Sequence, residues 1–138
     1  MPQYDFHHNT VKAALAKDGW HITHDPFAVK FEDAILLADL GAEKILAAEK
    51  GMRRIVVEIK SFSSASLFSD LQKAAGQYNM YVVFLSQTHP DYEVFMAISQ
   101  SVYEKFFQRP SVQFFVTQQR IKLLVFTPET EEVVQWIS

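Results

Sequence analysis

The segment Ile55-Val56-Val57-Glu58-Ile59-Lys60 constrains this chain more than any other. Its β-branched run predicts a core strand. Side chains alternate along a strand, so Val57 and Ile59 share one face while Glu58 and Lys60 share the other. Burying unpaired charge is expensive, so two charges on one face of a core strand require a cleft. The same pattern also arises on an edge strand with one face in water, where charges protect against unwanted pairing. Either way, the chain must build a sheet around this strand.

The rest of the sequence supplies the other layers. Asp5 to Lys17 has helical spacing at Val11, Ala14 and Leu15 and stops at Gly19. Trp20 to His24 alternates as a strand until Asp25-Pro26, and Ala34 to Leu40 is a second short strand run. Ala42 to Lys50 is rich in helix formers yet fits one arm of a long hairpin equally well, so its state stays open. Ser66 to Leu85 carries Leu67, Leu71, Ala74, Ala75, Tyr78, Tyr81 and Val82 at spacings of three and four, the clearest helix of the chain. Tyr92 to Ile98 reads as a strand, Tyr103 to Gln119 as helix interrupted at Pro110, and Ile121 to Phe126 and Glu132 to Ile137 as two closing strands. This order predicts an α/β fold with a mixed central sheet flanked by helices.

At 138 residues and 49% hydrophobic content, one domain spanning 1–138 is expected, with burial of roughly two-thirds of the unfolded surface. The absence of Cys excludes disulfides, thiolate zinc sites and cysteine nucleophiles, and suits a reducing compartment. A net charge of -3 argues against a protein that coats DNA through its overall field, so any nucleic-acid contact must be local. No run approaches the roughly 18 apolar residues of a membrane span, and Met1 to Phe6 lacks signal-peptide character, so a soluble cytoplasmic protein is expected.

The chemistry gathers at Glu58 and Lys60. Asp39 ends the Ala34 to Leu40 run, and on a neighbouring strand it would bring a second carboxylate to the same sheet edge. Two carboxylates suit a hard, oxygen-seeking cation, Mg²⁺ or Mn²⁺, held by Asp39 and Glu58, while Lys60 would neutralise charge developing on a phosphodiester. Gln77 and Tyr81 lie one helical turn apart on one face and could add hydrogen bonds there, or else be a solvated neighbour and an ordinary core tyrosine.

Asp39, Glu58-Ile59-Lys60 and Gln77-Tyr78-Asn79-Met80-Tyr81 together resemble the PD-(D/E)XK nuclease superfamily, with its restriction-endonuclease-like fold. Over nearly its full length the chain resembles the XisH family of fdxN element excision controlling factors. The phrases that carry this are His8-Asn9-Thr10-Val11-Lys12, Lys17-Asp18-Gly19-Trp20-His21-Ile22-Thr23-His24-Asp25-Pro26, Asp39-Leu40-Gly41-Ala42-Glu43-Lys44, Ala47-Ala48-Glu49-Lys50-Gly51, Val57-Glu58-Ile59-Lys60-Ser61-Phe62 and Gln135-Trp136-Ile137. The resemblance implies a role in programmed DNA rearrangement in heterocyst-forming cyanobacteria, with DNA and a companion protein, XisI, as partners and a separate site-specific recombinase acting alongside. A homo-oligomer is compatible with it. It also implies Asp39, Glu58 and Lys60 as catalytic positions, with Gln77 and Tyr81 as accessories. Two functions follow: a magnesium-dependent endonuclease-like factor, or a catalytically silent nuclease fold serving as an adaptor. Asp39 precedes Glu58 by nineteen residues, a wide gap for a simple hairpin, which makes Glu43 the second choice of ligand. On the first helix, where many superfamily nucleases place a Glu, this chain offers His8 and Asn9.

Three further clusters receive no chemistry. His7, His8, His21, His24 and His89 lack zinc-motif spacing and read as surface or capping residues. Lys50, Arg53, Arg54 and Lys60 read as a solvated hairpin turn, with contact to a DNA backbone the alternative. Phe106, Phe107, Phe114 and Phe115 read as core or as a partner surface.

Overall fold

The structure, a computed structural model, describes residues 3–35 and 45–138. Helix α1 (Gln3–Lys17) leads into β1 (His21–His24), β2 (Lys30–Phe31), β3 (Ala34–Ile35), β4 (Ile45–Lys50) and β5 (Arg53–Ile59). Helix α2 (Leu67–Thr88), β6 (Tyr92–Ser99), α3 (Gln100–Lys105), α4 (Pro110–Gln118), β7 (Leu123–Thr127) and β8 (Glu132–Ile137) complete it. The main sheet has the order β1-β4-β5-β6-β7-β8. Strands β5, β6 and β7 run parallel, and the remaining neighbours pair antiparallel. Parallel neighbours need crossovers, and α2 supplies the first while α3 and α4 supply the second. The result is the expected mixed α/β architecture, among the described residues a six-stranded sheet flanked by four helices.

Strand β5 is flanked by β4 and β6, so the edge-strand alternative for Glu58 does not hold. Its alternation divides the core. Ile55, Val57 and Ile59 face α1 and pack with Val11, Ala14 and Leu15. Val56 faces the other layer, among Leu71, Ala74, Tyr78 and Tyr81 of α2 and Val112 and Val116 of α4. On the α1 side, Trp20 and Trp136 lie with ring centroids 5.5 Å apart, and Phe95 meets Trp136 edge-on at 4.9 Å.

The segment left open, Ala42 to Lys50, is a strand where described, forming the antiparallel arm from Ile45↔Glu58 to Lys50↔Arg53. Ala47 and Ala48 are fully buried, and small side chains are what the crowded position between β1 and β5 admits. Of the Ala34 to Leu40 run, Ala34 and Ile35 are described and form a strand, paired with Lys30 and Phe31 in a separate two-stranded ribbon, while β4 holds the place beside β5; the rest of the run lies outside the described residues. The ribbon packs on α2 through Phe31, whose ring stacks on Phe84 at 5.4 Å. Helix α2 runs to Thr88, past the expected Leu85, and ends at His89 before Pro90. Among the described residues no helix is long and apolar enough to cross a membrane.

Candidate functional site

The C-terminal end of β5 gathers most of the residues singled out in the sequence. Glu58 is 1% exposed and lies on the α2 face, in register with Ile45 of β4 and Met96 of β6. The ladder continues one residue further, because the Lys60 backbone N–H donates to the Ala97 carbonyl at 3.0 Å. Lys60 is therefore fixed at its backbone while its side chain emerges, half-buried, beside α2. Its ammonium donates to the Gln77 side-chain carbonyl. Tyr81, one turn beyond Gln77, is buried in the same core layer as Val56. The structure thus joins Lys60 to Gln77 just past Glu58 at the end of β5, and puts Tyr81 in the core layer on the same side of the sheet.

The turn from β5 back to α2 is built for this return. Phe62 sits at φ +51°, a left-handed backbone, and drives its ring against Phe106 and Phe107 at 6.1 and 5.2 Å. Ser66 caps the helix by accepting from the Ser69 N–H at 3.2 Å. Asp70, in the first turn, accepts from the Ser64 hydroxyl at 2.7 Å and the Ser64 N–H at 3.1 Å. These contacts set the start of α2, and three turns later Gln77 meets Lys60.

Tyr78, read from spacing only as a member of the helical stripe, holds the same helix in register. Its hydroxyl donates to the Val94 carbonyl at 2.8 Å and accepts from the Lys122 N–H at 3.0 Å. Burial pushes the phenol up to about 12, with the backbone N–H of Lys122 opposing and the charge of Glu58 adding to the rise. Those partners are 16 and 44 residues away, and no local pattern announces them.

Asp39 and Glu43 lie outside the described residues. Ile45, the first described residue after them, pairs with Glu58. Among the described residues no three His, Asp or Glu side chains gather as a metal-binding group. A hard cation at this place would find Glu58 as its buried carboxylate, and carboxylate and side-chain amide oxygens are the donor types that suit such an ion.

The histidine reading holds for His89, the C-cap residue of α2, and for the exposed His21 and His24. It fails for two. His8 is buried, with Nε2 2.6 Å from Asp25 Oδ1, and Lys12 Nζ lies 2.6 Å from the other oxygen of the same carboxylate. Burial pushes the Asp25 carboxyl up, but the hydrogen bond from Lys12 and the charge of His8 outweigh it and hold the group below its usual range. His7 is half-buried edge-on to Phe126 at 5.7 Å, and burial lowers its imidazole. These contacts join α1 to β7 and to the residue after β1, which spacing within any one element does not reveal.

The basic cluster does not form one patch. Arg53 and Lys60 are separated by seven strand residues, roughly 23 Å. At the Arg53 end the charges are paired: Arg53 with Glu93 at 3.1 Å, Arg54 with Asp91 at 2.5 Å, and Lys50 with the Asp18 carbonyl at 2.6 Å. This is the solvated hairpin turn. Of the phenylalanines, Phe106 and Phe107 are core, Phe115 is half-buried and Phe114 is exposed.

A mixed sheet between α1 and three further described helices, with Glu58 and Lys60 at the C-terminal end of the interior strand β5, fits a restriction-endonuclease-like α/β fold. The chain belongs to the XisH family, whose model, described as XisH protein, matches residues 1–134. Two solved structures agree. An XisH family protein from Nostoc punctiforme PCC 73102 is 32% identical with a TM-score of 0.88, over 96% of this chain and 99% of that one. An fdxN element excision controlling factor protein from Anabaena variabilis is 34% identical with a TM-score of 0.89, over 97% of this chain and 99% of that one. No curated protein matches the chain.

Proposed function

We propose that this chain controls excision of a DNA element, the role named for the Anabaena variabilis relative, through an endonuclease-like, divalent-metal phosphodiesterase-type site at the end of β5. Its partners in this reading are DNA and the companion XisI, with strand exchange left to a separate recombinase. One observation carries it: a carboxylate, Glu58, is buried at the end of a central strand, two residues before a lysine that Gln77 holds by hydrogen bond. A buried carboxylate carries a large desolvation cost, which a bound cation offsets.

Glu58 would hold Mg²⁺ or Mn²⁺ together with Asp39, or with Glu43 in its place. When bound, the ion supplies Lewis-acid stabilisation of charge on a phosphodiester. Lys60 adds a fixed positive charge where that negative charge develops, and needs no reorganisation because Gln77 has already oriented it. Tyr81, buried one helical turn beyond Gln77, would support it from the same face of α2.

Calorimetric titration of Mg²⁺ and Mn²⁺ into the wild type and Glu58→Ala tests the ligand set, and unchanged ion binding would refute it. In cleavage of a DNA substrate, Lys60→Ala should abolish activity with ion binding retained, whereas Asp39→Asn and Glu58→Gln should lose both. A second reading, a silent nuclease fold acting as an adaptor between XisI and DNA, is favoured by the first helix: where nucleases of this type place a Glu, His8 is already committed to Asp25. In that case excision reconstituted with the recombinase and XisI is unaffected by all three substitutions in folded protein.

A further inference from the structure

Arg109 is poorly suited to the place it occupies. It is the N-cap of α4, where it makes no side-chain cap hydrogen bond, and a guanidinium has no acceptor with which to make one. Its charge also opposes the helix dipole, which favours anions at that end. Nor does it meet a carboxylate among the described residues, whereas Arg53, Arg54 and Lys122 each do. Its guanidinium lies instead in an aromatic corner, 5.4 Å from the centre of the Phe106 ring and 5.7 Å from that of Phe68, two rings that meet edge-on at 5.1 Å. The residue is nonetheless exposed. The corner belongs to the same end of the sheet as the candidate site. Phe106 lies 6.1 Å from Phe62, two residues past Lys60, and Phe68 stands in the first turn of α2, the helix that carries Gln77. Lys73 of α2 and Lys105 of α3 are exposed nearby, while the acids of those helices are already engaged, Asp70 by Ser64 and Glu104 by Gln100.

We infer that Arg109 is a phosphate-binding residue, gripping the DNA backbone close to the phosphodiester presented to Glu58 and Lys60. A chain of net charge -3 attracts DNA only through local cations, and cations neutralised by carboxylates, as at the Arg53 end, release few counter-ions on binding. Arg109 keeps its charge unspent. A guanidinium fork matches a phosphate with two parallel hydrogen bonds, and the two rings have already fixed its orientation, so little side-chain freedom is left to lose. The ring contacts place the guanidinium at most roughly 23 Å from Lys60, about seven nucleotides of a strand rising ~3.4 Å each, so one bound strand can reach both. The inference rests on DNA as the partner and not on cleavage, and holds for a nuclease and for a silent adaptor alike.

Fluorescence anisotropy of a labelled DNA duplex of about 25 base pairs, titrated with the full chain in EDTA at about 0.05–0.2 M NaCl, tests it. Arg109→Ser supplies the missing cap hydroxyl, so it should melt no lower than wild type while binding DNA at least about fivefold more weakly. The plot of log affinity against log salt should become shallower by about 0.9, the share of one phosphate. This slope is the deciding readout, because a purely structural loss does not change the number of ions released. Arg109→Lys keeps the charge and loses the fork, so it should bind more weakly with the slope retained. Arg120→Gly, the same charge change beside Tyr92 at the start of β6, should alter neither quantity. The inference is overturned by a wild type that binds no DNA, by an Arg109→Ser slope equal to that of wild type, by an equal effect of Arg120→Gly, or by loss of XisI binding in place of DNA binding. A protein that loses DNA affinity and slope on Arg109→Ser, yet takes up no Mg²⁺ and cleaves nothing, keeps the inference and refutes the nuclease reading. One whose cation uptake depends on Glu58 while Arg109→Ser changes nothing does the reverse.

Discussion

Replacing Tyr78 by Phe removes one oxygen that joins three elements. The phenol accepts from the backbone N–H of Lys122 and donates to the carbonyl of Val94, so the substitution strands a donor and an acceptor in the core. Two lost hydrogen bonds with partly desolvated partners amount to about 2–3 kcal/mol. Unfolding entropy of ~2.1 cal/mol/K per residue over 138 residues is about 0.29 kcal/mol/K, so Tm should fall by about 7–10 °C at pH 7. The pH dependence is more diagnostic. In the folded protein the phenol titrates at about 12, above its ordinary 10.0. Below pH 10 both states keep the proton and the full contribution is present. Between pH 10 and 12 only the unfolded chain ionises there, and wild-type stability drops by up to about 3 kcal/mol that Tyr78→Phe cannot lose. Urea unfolding of both proteins from pH 7 to 11.5 should therefore show the gap between them closing above pH 10. A gap that stays constant across that range, or a Tm change under about 2 °C at pH 7, would refute the reasoning.

The Glu58 charge contributes to the raised phenol, so Glu58→Gln should bring the buried tyrosine's midpoint down from about 12, read as tyrosinate absorbance in a fast alkaline titration. Asp25→Asn should cost about 1–2 kcal/mol at pH 7 by releasing His8 and Lys12. The folded Asp25 carboxyl lies below its ordinary 3.8, so its contribution is present above that pH and the gap to Asp25→Asn should narrow in denaturant titrations as the solution is acidified through it. Arg120 follows α4 at φ +55°, with its N–H on Thr117 O and that of Ile121 on Val116 O, the position helices usually give to glycine. Arg120→Gly should therefore raise stability by about 0.5–1 kcal/mol in thermal melts, and a loss would count against relief of backbone strain.

The central strand and α2 were legible because each follows one period over its whole length: β-branched alternation at residues 55–60, and threes and fours from Leu67 to Val82. Pro110 likewise marked the start of α4, where it occupies the first turn. Ala42 to Lys50 was ambiguous because Ala, Glu and Lys favour helices in isolation, and the slot between β1 and β5 selects a strand for its described part, Ile45–Lys50. The β2–β3 ribbon has two-residue strands, too short for any period. At the candidate site, Glu58 and Lys60 declared themselves as charges on a core strand, and Gln77 as the polar member of a helical turn. Tyr78 and the His8–Asp25–Lys12 contacts did not, since their partners are set by how α2 crosses to β6 and how α1 meets the end of β1.

Both tryptophans of the chain are Trp20 and Trp136, and they share one side of the sheet. With Arg53 5.5 Å above the Trp20 ring and Phe95 against Trp136, their emission reports the seam where α1 and β8 close over the sheet, and reports nothing of the opposite layer. Four of the five tyrosines, Tyr78, Tyr81, Tyr92 and Tyr103, lie in that opposite layer with α2, and Tyr4→Phe removes the fifth, which belongs to α1. The molecule thus carries separate optical labels for its two halves. Indole rings at this separation should couple as excitons and give a paired band in circular dichroism near the indole transition, which vanishes when either ring is replaced. Tryptophan emission can then follow the α1 side while tyrosine absorbance follows the α2 side, so a single denaturation series distinguishes concerted melting from one layer peeling away first.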